Sequence, residues 1–361
     1  MVDAAFWQNK RVLITGHTGF KGSWLSLWLQ SLGAEVFGLA LPPSAEPALF
    51  YEANIAEGMV STLGDIRDYP TVYKTVAEAR PEILFHMAAQ PLVRYSYRHP
   101  VETYSTNVMG TVHVLEAARQ VSTVRAVVNI TTDKCYENKE WLWGYRENDR
   151  LGGYDPYSSS KACSELITDA YRHSYFNDSG ISLASARAGN VVGGGDWSED
   201  RLIPDILRSF GKKEPVIIRN PKAIRPWQHV LEPISGYLIL GERLFKEGRE
   251  YAGAWNFGPD SADARPVEWI VEQMARLWGP EASWRLDSEK QLHEAGLLRL
   301  DISKAVSRLG WAPVWNLERA LENITDWQRC WLNRDNVQEK CRQQIKRYIA
   351  DAAASRITEK I

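Results

Sequence analysis

No apolar run in this chain approaches the roughly 18 to 20 residues that a membrane span requires, and its opening residues, MVDAAFWQNKR, lack the apolar core of a secretory signal. A cytoplasmic location with no membrane partner is expected. Cysteine is scarce: Cys135, Cys163, Cys330 and Cys341 are too scattered for a disulfide framework, and none forms a CxxC or Cys/His metal spacing. They read as thiols, and no metal is expected. Net charge is scarce as well. With 45 acidic against 43 basic side chains the formal charge is -2, which leaves no basic field to draw nucleic acid, although small anionic ligands stay open.

What is present is the composition of a globular protein, 44% hydrophobic and 24% charged over 361 residues, enough for one large domain or two intimately joined ones. The 15 Trp residues point to large buried faces or an aromatic interface rather than a cofactor box. Short β-rich runs at 11–15, 35–39, 59–63, 82–87, 125–131 and 181–187 alternate with stretches of helical period. One of these is 101–119, where Val101, Tyr104, Val108, Val112 and Leu115 recur at spacings of three and four. The pattern predicts an α/β fold, a doubly wound parallel sheet of Rossmann type.

After Asn190 the character changes. Gly193, Gly194 and Gly195 open an irregular stretch, and a smaller α/β lobe is expected, with helices at 232–247, 266–278 and 317–333. The expected division is residues 1–189 for dinucleotide binding, 190–335 for a second lobe partly interleaved with the first, and 336–361 for a charged helix. That helix carries Val337, Cys341, Ile345 and Tyr348 on one face.

The run RVLITGHTGFKG places Gly16, Gly19 and Gly22 at the first strand-to-helix turn. Glycine is needed there for a tight turn, close approach to a pyrophosphate, and close packing of helix on sheet. The phosphates are expected at the helix N-terminus, where free N–H groups favour negative charge. The GxxGxxG spacing resembles the extended short-chain dehydrogenase/reductase family, which implies NAD as cofactor, held by Gly16, Thr18, Gly19, Phe20, Lys21 and Gly22. One family feature is missing: the stretch VFGLALPPS after the second strand has no Asp or Glu for the ribose of NAD. NAD rather than NADP thus rests on the resemblance. Asp65 and Ile66 in GDIRD match the family's adenine contacts, with Asp65 as a helix cap the alternative. Ala88, Ala89 and Gln90 in FHMAAQ, together with Asn107 and Thr131, complete the implied cofactor site.

Tyr157 and Lys161 stand at i and i+4 in YSSSK and share one helix face. An ammonium beside a phenol favours the phenolate, so the pair predicts a general base whose pKa is lowered; alone, YxxxK is more often a solvated pair, and its place after five βα units and behind Thr131 and Thr132 reverses this. Just upstream lies TTDKCY, residues 131–136. Here the resemblance narrows to the nucleotide-sugar 4,6-dehydratases, in the form found in the CDP-glucose 4,6-dehydratases, whose work belongs to deoxysugar biosynthesis. It implies that Thr132 binds the sugar 4-hydroxyl, that Tyr157 removes its proton, that Lys161 reaches the nicotinamide ribose, and that Asp133 protonates the departing 6-hydroxyl. In the dTDP-glucose enzymes a Glu follows the Asp as base at C5; here it is Lys134. Lys134 can take that proton only when neutral, and otherwise can stabilise the enolate. Cys135 reads as packing.

A nucleotide sugar carries a diphosphate, which arginine forks bind well. RNPKAIRPWQH offers Arg219 and Arg225, Arg225 for the diphosphate and Arg219 nearer the base or ribose, with surface arginines in a turn the alternative. Asn190 in RAGN and Arg201 in RLIPDI match family positions for the nucleotide, and His293 is a further candidate against an ordinary surface histidine. The implied ligand is CDP-glucose. The rival readings are a sister 4-epimerase or decarboxylase, which has no use for Asp133 and Lys134, and a silent NAD(P) sensor, which has no use for Tyr157 and Lys161. The resemblance also implies a homodimer or a dimer of dimers, built on helices 101–119 and 157–177.

Overall fold

The structure, a computed structural model, describes residues 1–287 and 297–358. Six strands form at the β-rich runs of the first half: β1 Arg11–Thr15, β2 Glu35–Ala40, β3 Met59–Leu63, β4 Ile83–His86, β5 Ala126–Ile130 and β6 Ser182–Ala188. They are followed by β7 Asn190–Val192, β8 Val216–Ile218, β9 Ile224–His229, β10 Gly253–Phe257, β11 Ala264–Pro266 and β12 Trp284–Leu286. The main sheet runs β10-β6-β5-β4-β1-β2-β3 and is parallel throughout. Its edge strand β10 lies beside β6 with Gly253 opposite Ala184. Nothing in the sequence pattern marks GAWNF as a member of this sheet, because it follows the second lobe's first elements rather than another βα unit.

The long helices are α1 Phe20–Ser31, α2 Tyr69–Ala79, α3 Gly110–Gln120, α4 Pro156–Tyr171, α5 Leu202–Gly211, α6 Leu231–Glu247, α7 Val267–Trp278, α8 Leu317–Leu332 and α9 Val337–Thr358. Alternate strand residues serve two separate apolar layers. Val12, Ile14, Phe85 and Val128 pack with Trp24 and Trp28 of α1 and Tyr237 of α6, whereas Leu13, Leu84 and Val127 pack with Val76 of α2 and Val114 of α3. Both faces are covered, which is why the strands read as continuous apolar runs. Six of the tryptophans, among them Trp7, Trp255, Trp311 and Trp327, are fully buried, in keeping with a packing role. All four cysteines are free thiols.

The apolar stripe of 101–119 turns mostly outward. Val101 is 82% exposed and Tyr104 and Met109 are exposed with it, while Thr103, Asn107 and Thr111 face the protein. A π-helical turn, Ser105–Met109, joins the short helix Pro100–Tyr104 to α3. Such turns concentrate at functional sites because they re-aim side chains. At the other end of the chain, Val337, Cys341, Ile345 and Tyr348 are buried on one face of α9 against the first apolar layer. Tyr348 meets Trp28 edge-on with ring centroids 5.7 Å apart, and donates to the buried carboxylate of Glu232 at 2.7 Å.

The second lobe holds a three-stranded sheet, β11-β9-β7, and a two-stranded one, β12-β8. Its own core joins Ile206 and Phe210 of α5, Ile270 and Met274 of α7, and Leu321 and Ile324 of α8. Strand order in the main sheet reverses between β1 and β4, and the crevice past their C-terminal ends is where open α/β sheets take ligands. The lobe stands over that end, because β7 follows β6 after a single residue.

Candidate active site

The glycine turn has three different needs. Gly16 has φ +80°, and a Cβ there would lie 2.7 Å from the backbone nitrogen of Ala88; a Cβ on Gly22 would lie 2.1 Å from the Gly16 carbonyl oxygen. These two glycines let the chain pack on itself. Gly19 differs: its Cβ would meet only the Gly16 oxygen, at 3.4 Å. The space it leaves lies at the N-terminus of α1, where Gly19 is the N-cap and no side chain caps the helix. Free N–H groups facing open space are the arrangement a pyrophosphate requires. Thr18 donates to the Leu41 carbonyl at 2.8 Å. The ring of His17 packs against Gly38 and hydrogen-bonds Ser61 at 2.7 Å, in the region where an acidic ribose ligand is missing.

The other expected cofactor residues fall into two groups. Ala88 lies against Gly16, its N–H donating to Thr15 at 3.2 Å. Gln90 donates its N–H to Asn107 at 2.8 Å, and Asn107 donates to Ser160 at 2.8 Å, so Asn107 ties the loop after β4 to α4. Ala89 lies in the same loop, between them, and is half-buried. Asp65 does not cap a helix: its carboxylate accepts from the backbone and guanidinium of Arg67. Ile66 is buried beneath Gly110.

The helix α4 begins as its sequence dictates, with Asp155 as N-cap accepting from Ser158 N at 2.9 Å and Pro156 in the first turn. Its second residue, Tyr157, donates its backbone N–H to the Ser96 hydroxyl at 3.1 Å. Tyr157, Lys161 and Glu165 lie on one buried face. Opposite them β5 stops at Ile130, Thr131 and Thr132 continue as extended backbone, and Asp133–Cys135 form a 3-10 turn. Thr132 caps that turn by accepting from Lys134 N at 3.3 Å and donates to the Asp133 carboxylate at 3.0 Å. Cys135 is buried in a small cluster with Tyr136, Tyr145 and Leu298, a packing role.

Electrostatics joins these parts into one site. Burial pushes Asp133 above the usual carboxylate range, against the opposing charges of Lys134 and Arg225 and the Thr132 hydrogen bond. Burial takes the Tyr157 phenol up to about 12, with hydrogen bonding to Thr132 and the charge of Arg201 opposing it. The expected lowering of Tyr157 by Lys161 is therefore not what the structure shows. Lys161 donates to the Ile130 carbonyl at 3.1 Å instead, and burial brings it down to about 8. Lys21 is brought down to about 7, by burial first and then by the charges of Lys161 and Arg201; Asp133 and Asp196 act the other way. The glycine turn, α4, the TTDK turn and the second lobe thus share one electrostatic field.

The second lobe's residues take separate places. Arg225 is felt at Asp133, nearer the TTDK turn than a diphosphate role alone implies. Arg201 pairs with Asp196 at 3.3 Å, and Arg219 with Asp200 at 3.0 Å. Asn190 opens β7 opposite Trp227. His293 lies outside the described residues. The sequence reading missed Ser96, whose only signal is its place in a short helix after β4. It also missed His86, whose ring bridges Thr15 at 2.7 Å and Thr111 at 3.2 Å.

The geometry has counterparts among known proteins. A family model described as GDP-mannose 4,6 dehydratase matches residues 13–324. A CDP-glucose 4,6-dehydratase of Salmonella typhimurium is 56% identical over 355 residues, 97% of this chain and 99% of the relative. A dTDP-glucose 4,6-dehydratase of Xanthomonas campestris is 26% identical over 87% of this chain and 92% of its own. Among solved structures, a dTDP-glucose 4,6-dehydratase of Bacillus anthracis in complex with NAD superposes with TM-score 0.73 at 21% identity, over 89% of this chain and 96% of that one. A UDP-glucose 4-epimerase of Thermotoga maritima with UDP-glucose gives TM-score 0.77 at 22% identity, over 89% and 99%. The last two likenesses carry the fold.

Proposed function

The chain belongs to the GDP-mannose 4,6 dehydratase family, and from that premise we propose that it is an NAD-dependent hydro-lyase converting CDP-glucose to CDP-4-dehydro-6-deoxyglucose. The observation that carries this reading is the buried Asp133, next to Lys134 and within hydrogen bond of Thr132, in the field of Tyr157. A 4-epimerase needs the Thr and Tyr; a further acid and cation serve chemistry at C5 and C6. The 56% identity to a CDP-glucose enzyme supports the cytidine handle.

The residues present fit NAD. The open space at Gly19 and the uncapped N–H groups of α1 suit its pyrophosphate. Gly16, Thr18, Phe20, Lys21, Gly22, Asp65, Ile66, Ala88, Ala89, Gln90, Asn107, Thr131 and Lys161 surround it. Bound there, the coenzyme would supply the acceptor for the hydride from C4 of the sugar and, once reduced, the donor of a hydride to C6, so no external redox partner would be required. Thr132 orients the 4-hydroxyl and Tyr157 takes its proton as the phenolate, the form that the Thr132 hydrogen bond and the charge of Arg201 favour against burial. The resulting 4-ketone acidifies C5–H. Neutral Lys134 takes the C5 proton, faces the enolate as counter-charge in its resulting ammonium form, and gives the proton back to C5 when hydride reaches C6. Asp133, held toward its protonated form by burial, gives its proton to the departing 6-hydroxyl.

Residues 1–189 hold the coenzyme, and 190–335 the nucleotide sugar, through Asn190, Arg201, Arg219, Arg225 and His293. The exposed Val101, Tyr104 and Met109, together with Leu166 and Tyr175 on the neighbouring α4 and its continuation, support a homodimer closed over that face. Among the described residues no helix is long and apolar enough to cross a membrane, and the enzyme's place is the cytoplasm. The test is incubation with NAD and a panel of glucose and mannose nucleotides, following the 4-keto-6-deoxy chromophore in alkali. A signal with CDP-glucose is expected; one confined to GDP-mannose or dTDP-glucose overturns the assignment.

A further inference from the structure

Below the catalytic helix lies an ion pair that the reaction itself does not use. Glu165 and Arg187 meet at 2.8 Å with side chains only 3% and 4% exposed. Each partner also holds one end of the reactive turn. The Thr131 hydroxyl donates to Glu165 Oε1, and Ser185 donates to Oε2 at 2.6 Å. On the other side Arg187 Nη1 donates to the Tyr136 hydroxyl at 2.8 Å and to the Glu147 carbonyl at 2.9 Å. The Tyr136 hydroxyl in turn donates to Asn256 Oδ1 of β10 at 2.8 Å. Thr132, Asp133 and Lys134 are thus suspended between two residues gripped by the two halves of one ion pair.

We propose that Glu165 and Arg187 are positioning residues of the reaction: they clamp the Thr131–Tyr136 segment at both ends, and Glu165 supplies the counter-charge to Lys161 one helical turn away. The proposal rests on the dehydratase reading for the identity of the reacting groups. A buried ion pair is weak as a source of stability, since apolar residues of similar volume often do as well; its geometric value lies in a carboxylate that accepts from Thr131, Ser185 and Arg187 and a guanidinium that also holds Tyr136 and the Glu147 carbonyl. The charge argument follows from what faces Lys161. Glu165 lies on its own helix, Cys135 on the turn, Lys21 on α1 and His86 on β4, with Arg187 behind Glu165. Burial keeps Cys135 and His86 neutral, Lys21 repels, and the Glu165 carboxylate opposes the fall of Lys161.

Two variants separate charge from shape. Glu165→Gln keeps an acceptor for Thr131 and removes the charge; Glu165→Asp keeps the charge on a shorter stem. With the Gln variant the alkaline limb of kcat is expected to move down by about one pH unit or more, as a lost neighbouring charge implies, and the Asp variant is expected to restore it. The same shift is read without turnover as the Lys161 titration midpoint in protein labelled with 15N-lysine. That separates failure of this proposal from failure of the dehydratase reading. For the far end of the clamp, Tyr136→Phe is expected to lower kcat roughly tenfold or more, as a displaced reacting group does, with KM and the pH limb little changed. An unmoved Lys161 midpoint in the Gln variant, or full kcat in the Phe variant, overturns the proposal.

Discussion

The side chain of Asn107 donates to the Ser160 hydroxyl at 2.8 Å while accepting the backbone N–H of Gln90 at the same distance. One buried amide therefore ties the loop after β4 to α4 between its tyrosine and its lysine. The π-helical turn that carries Asn107 is what aims it inward.

Replacing that amide is costly in proportion to the partners left behind. Asn107→Leu strands the N–H and carbonyl of Gln90, each unsatisfied group costing about 1–3 kcal/mol, and takes one donor from Ser160, whose hydroxyl still donates to the Tyr157 carbonyl. Ser160→Ala removes a single partner and is expected to cost about 1 kcal/mol. Urea unfolding of the two variants checks the order; a Ser160 effect as large as that of Asn107 contradicts it.

In the proposed reaction Tyr157 and Asp133 act at different stages. Tyr157→Phe is expected to bind NAD yet leave it oxidised when CDP-glucose is added. Asp133→Asn is expected to let C4 oxidation run and then stall, with reduced nicotinamide accumulating and overall turnover falling roughly 10²–10⁴-fold. Stopped-flow absorbance of the reduced coenzyme distinguishes them. Unchanged turnover in the Asn variant removes Asp133 from the acid role.

Two glycines of the turn fail in different ways. A methyl at Gly22 collides with the Gly16 carbonyl, so Gly22→Ala is expected to lower the melting temperature even without ligand. A methyl at Gly19 has room, so Gly19→Ala is expected to melt normally alone and to lose the thermal upshift given by NAD. Differential scanning fluorimetry with and without NAD reads both.

Glu232 gives stability a pH dependence of definite sign. Burial lifts its carboxyl from 4.5 to about 7, although Val314 N, Trp315 N and Tyr348 all donate to it. Between those two values the unfolded chain releases a proton that the folded one keeps. The contribution is therefore full below pH 4.5 and falls as the pH rises to about 7. Glu232→Gln lacks this term, so the melting advantage of the natural residue over Gln is expected to be larger at low than at high pH. A difference that stays flat, or widens with rising pH, counts against the assignment.

How legible all this is in the sequence depends on what a residue must satisfy. The inner strands of the first half show themselves because both their faces are buried, whereas the edge strand β3 shows only its β-rich run, and the glycine turn shows itself because only glycine fits two of its three positions. Val101 and Tyr104 mislead: their helical spacing looks like a core stripe, while the face that packs inward carries Thr103, Asn107 and Thr111. Polar residues that find partners inside a fold have the same local pattern as residues facing water, so Glu165 and Arg187 stay hidden as well. Tyr157 and Asp133 could be found as a pair, but the rise of Tyr157 under burial belongs to three-dimensional packing that no spacing encodes.

The order in which the chain leaves the ribosome sets a condition on its biogenesis. When residues 1–189 have emerged, six strands exist, yet the edge beside β6 still waits for Gly253–Phe257 and part of the apolar face of α1 waits for Tyr348. A nascent chain must keep those surfaces from neighbours until Tyr348 has emerged. A message cut short before Val337 therefore yields an adhesive fragment for the quality-control machinery rather than a smaller working enzyme.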